Sequence, residues 1–327
     1  MIFMVRPLYE QVVVITGASS GIGRETALRM SREGAKVVVA ARKEEALDEL
    51  VEEINSAGGE ATSIPTDVSV WDDVQALASL AGEKYGRIDT WVNNAGVLLV
   101  GEFEHTDLDE ARRLFNVNFW GEVHGVKAVL PIMREQGYGT IINVTSVTAR
   151  RAFPLMSYYS ASKWALNGFF EGLRAEIKDP NIHICTIMPA TIDTPLYEHA
   201  RSKEGVAAKG APPIYPPEEV ANAIAQCAEK PRREMYAGKA GLLMAVSNTL
   251  MPGVLDKVMG LVGRPALLKI EEPASPRGED NLDRPMGKET YTSTGGQRGV
   301  RTKLVELAPG ALLGLVALFA ARRLVRR

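Results

Sequence analysis

The chain has 327 residues, with 38 Lys and Arg against 40 Asp and Glu and a formal net charge of −2. That length holds one large α/β domain plus an extension, and the absence of a basic stripe in the first 290 residues excludes a nucleic-acid binder. Cys185 and Cys227 sit in apolar runs and read as buried small hydrophobes, while four scattered histidines without ligand spacing give no metal site.

The opening, Met1–Pro7, is too short and wrongly flanked for a secretory signal, so the catalytic region is expected in the cytoplasm. Strands and helices then alternate. The pattern predicts strand Gln11–Thr16, helix Gly21–Glu33, strand Lys36–Ala41, helix Glu44–Ala57, strand Glu60–Thr66, helix Asp72–Tyr85 and strand Ile88–Asn93. A long helix over Leu108–Gln136 follows, then strand Thr140–Thr145, helix Ser157–Lys178 and strand Ile182–Met188. Near-continuous Val/Ile strands separated by helices imply an α/β fold, a doubly wound parallel sheet of Rossmann type with both faces covered.

Thr16–Gly23 joins the first strand to the first helix as Thr-Gly-Ala-Ser-Ser-Gly-Ile-Gly. Gly17 allows a tight turn, and Gly21 and Gly23 leave no side chain between backbone and a pyrophosphate. With Ser19, Ser20 and Ile22 they precede a helix amino terminus whose free N–H groups favour an anion. A glycine loop alone often marks only a turn, but its place at the first strand–helix junction assigns it to a dinucleotide. An acid at the end of the second strand would hold the ribose hydroxyls of NAD. The sequence there is Ala40-Ala41-Arg42-Lys43, and the Arg42 fork suits a 2′-phosphate, so NADP is favoured over NAD. Asp67 and Val68 end the third strand, where a carboxylate can accept from an adenine amino group. Asn94, Ala95 and Gly96 end the fourth, where small residues let a cofactor lie close.

Tyr159 and Lys163 are four residues apart, on one face of the predicted helix, and Ser146 lies at a strand end thirteen residues upstream. A hydroxyl facing a phenol beside a lysine can polarise a carbonyl and hand it a proton. Tyr158 has Ser162 four residues on, not a lysine, and reads as lining or packing.

In order and spacing, Thr16–Gly23, Asp67, Asn93–Gly96, Asn118, Ser146, Tyr159 with Lys163, and Pro189 through Thr194 resemble the short-chain dehydrogenase/reductase family over about Gln11–Gly238. The resemblance implies an NAD(P)-dependent oxidoreductase acting on CH–OH donors. Tyr159 is then the general acid and base, Lys163 lowers its pKa and holds the nicotinamide ribose, Ser146 orients the substrate oxygen, and Asn118 pins a water in a proton relay. Pro189, Ile192 and Thr194 border the nicotinamide, the last two holding its carboxamide. Ala190 departs from the family's usual glycine. The resemblance also implies a homo-oligomer through the outer sides of the helices bearing Asn118 and Tyr159.

Ala190–Tyr215 is expected to cover the substrate. With Arg150, Arg151, Phe153, Leu155 and Met156 it makes a mostly apolar wall with a few cations, suiting a hydrophobic ketone or secondary alcohol. The same residues would equally close the loop on its own core. Residues 1–240 read as the catalytic domain, 241–303 as an apolar segment plus an irregular linker, and 304–327 as an apolar tail ending in arginines. Leu307–Ala321 would reach about 22 Å as a helix, short of a hydrocarbon core of about 30 Å. It either contacts membrane, spanning or lying in the interface, or docks on the protein or a partner. Two further readings stay open: epimerase or dehydratase chemistry with retained cofactor, and a non-catalytic NADP-binding protein recruited to membranes.

Overall fold

The structure is a computed structural model and describes residues 5–275 and 279–285. Its centre is a sheet of β1 (Val12–Thr16), β2 (Lys36–Ala41), β3 (Glu60–Pro65), β4 (Thr90–Asn93), β6 (Gly139–Val144), β7 (Ile182–Pro189) and β12 (Glu234–Ala237). The strands run in the order β12-β7-β6-β4-β1-β2-β3, every neighbour parallel. Helices α1 (Gly21–Arg32), α2 (Glu44–Ser56) and α7 (Pro217–Glu229) cover one face. Helices α3 (Trp71–Tyr85), α4 (Leu108–Phe115), α5 (Gly121–Gln136) and α6 (Ser157–Glu176) cover the other. Alternation divides the strands between two cores: Val12, Val14 and Val38 point into one, Val13, Ile15, Val37 and Val39 into the other. All seven are essentially inaccessible, which explains strands that read as continuous apolar runs.

Strand order reverses between β1 and β4. Chain flow carries β2 and β3 to one side and β6, β7 and β12 to the other, opening a crevice at the carboxyl ends of the strands. The helix expected across 108–136 is continuous but contains a π turn at Asn116–Trp120 between α4 and α5. That extra residue per turn occurs at Asn118, whose side chain is buried against the loop after β4.

Small pairs flank the crevice: β5 (Leu99–Val100) with β9 (Arg201–Ser202), and β8 (Thr191–Ile192) with β11 (Ile214–Tyr215). Past β12, where an apolar stretch was all the sequence showed, two helices form, α8 (Lys239–Leu250) and α9 (Pro252–Leu267). Of the segment expected to be irregular, Glu271–Pro273 completes β13 (Leu268–Pro273), antiparallel to β10 (Val206–Ala208). Among the described residues no helix is long and apolar enough to cross a membrane, and the tail at 304–327 lies outside them.

Candidate active site

The glycine turn is dictated by contact. Gly17 has φ +67°, and a Cβ on Gly23 would lie 2.2 Å from the Gly17 carbonyl oxygen. Asn94 ties this turn to the neighbouring strand. Its Nδ2 donates to the Thr16 carbonyl at 2.9 Å, and its N–H donates to Thr16 Oγ1 at 3.0 Å. The turn therefore has one shape, with the amino end of α1 facing the crevice.

A groove of about 240 Å³ runs along the carboxyl edge of the sheet. Gly17, Ser19, Ser20, Gly21, Ile22, Arg42, Asp67, Val68, Asn94, Ala95, Gly96, Ser146, Tyr159, Lys163, Pro189, Ile192 and Thr194 all line it. Two of the residues singled out from sequence sit behind it. Gly23 packs against Gly17, and Asn118 is fully buried. The Asn118 amide is occupied, accepting from Val97 N–H at 2.8 Å and donating to the Val97 carbonyl at 3.0 Å. It fixes the loop after β4 with both ends of its side chain.

At one end of the groove Tyr159 and Ser146 both line the wall, and the Ser146 hydroxyl favours the phenolate. Ser146 Oγ also accepts from Thr148 N–H at 3.1 Å, which holds it at the strand end. Lys163 Nζ donates to Glu122 Oε1 and to the Val144 carbonyl, both at 3.2 Å. This pairing is the surprise of the site. Lys163 and Glu122 are 3 % and 2 % exposed, so a buried ammonium has a buried carboxylate as its counter-ion. Burial lifts the Glu122 carboxyl to about 7 against the pull of Lys163. Burial likewise pushes the Tyr159 phenol up to about 12. The Ser146 hydroxyl opposes that shift and the Glu122 carboxylate adds to it. The upward displacement of the phenol, opposite to the lowering that the resemblance implies, is chiefly the effect of its burial, with the Glu122 carboxylate a smaller addition.

Glu122 was not singled out from sequence. Its signal was there: an acid four residues after Asn118, on a helix whose face must pack on the sheet.

At the other end, Arg42 Nη2 donates to the Asn281 carbonyl, while Arg42 Nη1 is buried without a partner among the described residues. Asp67 accepts from Ser69 N–H and Oγ at 3.0 and 2.7 Å and from Arg113 Nη2 at 2.7 Å. Burial raises its carboxyl, but the Ser69 and Arg113 contacts outweigh that and hold it below the usual range. An acceptor seen from sequence as open to adenine is thus already engaged by Arg113, a residue with no local motif.

A second cavity, about 170 Å³, adjoins the groove at Ser146, Thr148, Met156, Ala190 and Tyr197. Phe153, Pro212, Pro213, Leu243, Met244, Met259, Val262 and Leu267 complete it, so α8 and α9 form its roof. The cations expected in its wall do not line it. Arg150 pairs with Glu234 at 2.7 Å, and Arg151 pairs with Asp256 at 2.8 Å and reaches Asn248 at 3.1 Å. Arg151 is spent on the roof helices and Arg150 on β12, which leaves the cavity mostly apolar. Among the described residues no group of three or more His, Cys, Asp or Glu could hold a metal.

The model of the short chain dehydrogenase family matches residues 11–205. Oxidoreductase YxnA of Bacillus subtilis is 38 % identical over 97 % of this chain and 92 % of its own length. Mouse dehydrogenase/reductase SDR family member 7B is 34 % identical over 77 % of this chain and 81 % of its own. An alcohol dehydrogenase from Thermococcus sibiricus, solved with 5-hydroxy-NADP, superposes with a TM-score of 0.61 at 26 % identity, covering 69 % of this chain and 95 % of that one. A metagenomic short-chain oxidoreductase in complex with NADP gives 0.59 at 30 % identity, covering 69 % and 96 %. With its fold and matched motifs, the chain belongs to the short-chain dehydrogenase/reductase family, NAD(P)-dependent oxidoreductases acting on CH–OH donors.

Proposed function

We propose that the protein is an NADP-dependent reductase/dehydrogenase that interconverts a carbonyl and a secondary alcohol on a hydrophobic small molecule, with Tyr159 as general acid and base. The observation that carries this reading is the meeting of two unlike cavities at Ser146, in the groove that Tyr159 also lines. A long groove with a glycine turn and a buried cation ends at Ser146 and Tyr159, and an apolar chamber opens from Ser146.

The groove fits a dinucleotide by its own chemistry. The Gly17–Gly23 contact leaves room only for backbone, and Arg42 Nη1 is a buried donor without an acceptor among the described residues. No acid stands at the end of β2 to repel a 2′-phosphate. The NADP and 5-hydroxy-NADP complexes of the two similar enzymes support the same choice. Bound there, the dinucleotide supplies or accepts the hydride.

The remaining steps belong to the chain. Ser146 donates a hydrogen bond to the substrate oxygen and holds it beside the phenol. A phenol displaced to about 12 is protonated at neutral pH, which suits proton donation in reduction. In the oxidative direction Tyr159 must give up that proton first, and Lys163, held by Glu122 and Val144, supplies the positive charge that assists. The apolar roof excludes water and binds hydrocarbon.

A series of methyl ketones of rising chain length, with NADPH consumption as the readout, tests the substrate class. Each added methylene buried in the chamber is expected to raise kcat/KM about threefold to fourfold until the chamber is full. A flat series, or a preference for polar carbonyls, would overturn the hydrophobic assignment.

A further inference from the structure

The residues at 280–285 lie far beyond the catalytic sheet in sequence, yet Asn281 and Pro285 line the groove. Their position is over-determined. Arg201, 4 % exposed, donates from Nε to Asp280 Oδ2 at 2.9 Å, from Nη1 to Glu110 Oε1 at 3.1 Å and from Nη2 to Asp283 Oδ2 at 2.9 Å. Asp280 is 2 % exposed and Leu282 is fully buried, so this corner is a folded anchor and not a surface crossing. Leu282 N–H donates to Asp280 Oδ1 at 3.0 Å, and Arg113 Nε donates to the Leu282 carbonyl at 3.1 Å. Asn281 N–H donates to the His199 carbonyl at 3.0 Å, tying the segment to the loop that covers the site.

What this anchor presents to the groove is specific. The Asn281 carbonyl holds one arm of Arg42, both residues line the groove, and Arg42 Nη1 is buried without a partner among the described residues. Asn281 Oδ1 is also buried without a partner among the described residues. A buried unpaired donor and a buried unpaired acceptor, on two hydrogen-bonded residues that both line the groove, are costly unless a ligand satisfies them. An adenosine bearing a 2′-phosphate offers what each lacks: anionic oxygens for the guanidinium, and hydroxyl or amino hydrogens for the amide oxygen.

We propose that Asp280–Pro285 forms the outer wall of the adenosine end of the nucleotide site, Asn281 contacting the nucleotide directly and its carbonyl positioning Arg42 for the 2′-phosphate. The proposal rests on the dinucleotide reading above. It makes the carboxyl-terminal extension part of nucleotide recognition, anchored through Arg201 to Glu110 on α4. Burial, with the neighbouring Arg113, lowers the Arg42 pKa, and Asp67, Asp283 and Asp280 oppose that shift without cancelling it.

The test is nucleotide affinity of the full chain, read from NADPH and NADH fluorescence titrations. Asn281→Ala is expected to weaken both nucleotides about fivefold, the scale of one neutral hydrogen bond. Asp280→Asn, which releases the anchor, is expected to weaken NADPH about tenfold and NADH less, because Arg42 loses its holder. Should Asp280→Asn not fold, hydrogen exchange of the unaltered chain gives a second readout: the Asn281 and Leu282 amides are expected to slow about tenfold or more on adding NADPH. Tight NADPH binding to the parent chain, with both variants within twofold of it or with unchanged exchange at 281–282, overturns the proposal and leaves the dinucleotide reading standing. A parent chain that binds neither nucleotide overturns both.

Discussion

The two ends of the groove are built on different principles. The end around Ser146, Tyr159 and Lys163 is built from the end of β6 and from α5 and α6, which belong to the catalytic core, with Lys163 held by Glu122 and Val144. The end around Arg42 and Asp67 is finished by residues from elsewhere: Arg113 on α4 and Asn281, which meets Arg42 across 239 positions of sequence. On the proposed reading the first end places chemistry that tolerates little displacement, and the second places affinity and selection, which can be assembled from tethered segments and altered without moving the reacting groups.

Substitutions can break that contrast or sharpen it. Tyr159→Phe keeps the ring and removes the proton. It is expected to lower kcat about 10²-fold to 10⁴-fold, while NADPH affinity by fluorescence titration stays near that of the parent chain. Comparable losses in affinity would mean that the two ends are not separable. Gly23→Ala puts a methyl 2.2 Å from the Gly17 carbonyl oxygen, so the turn must shift. Loss of NADPH binding by about a hundredfold is expected with the sheet intact by circular dichroism. Arg42→Asp acts only at the far end. It is expected to weaken NADPH by about tenfold to a hundredfold while NADH holds or improves, shown by the ratio of the two kcat/KM values.

The smallest effect tests the near end most finely. The Glu122 carboxylate raises the Tyr159 pKa, and it offsets Lys163. Glu122→Gln removes the negative charge and frees the lysine's charge, and both changes favour the phenolate. Alcohol oxidation needs the phenolate, so its activity rises as pH passes upward through the Tyr159 pKa. The variant's rising limb in kcat/KM is therefore expected about one pH unit lower than that of the parent chain. A purely packing role for Glu122 would lower stability and leave the limb in place.

These differences also explain what sequence could reveal. The alternation of apolar strands with helices gave the parallel sheet, and the fixed offsets 16–23, 146, 159 and 163 lie within elements whose geometry is local, so their convergence on one edge was legible. The seventh strand, Glu234–Ala237, was not, because it is short and only its last residue is buried. Arg42 was legible as a cation at a strand end, but what holds it was not, since Asn281 carries no motif and only tertiary packing brings it there. Glu122 lay between these cases: its helix face was predictable, but its partner on α6 depends on how two helices pack. The wall cations Arg150 and Arg151 misled for the same reason, since their partners Glu234 and Asp256 come from later elements.

The central claim is that hydride passes between the dinucleotide and a carbon whose oxygen is held by Ser146 and Tyr159. Its most direct test is isotope transfer. The parent chain is incubated with NADPH deuterated at the transferable C4 position and a hydrophobic methyl ketone, and the product is read by mass spectrometry and NMR. We expect one deuterium on the carbinol carbon, one NADP⁺ formed per alcohol, and the transfer nearly abolished in Tyr159→Phe. Product without deuterium, turnover with no net NADPH consumed, or undiminished transfer in the variant would contradict the account.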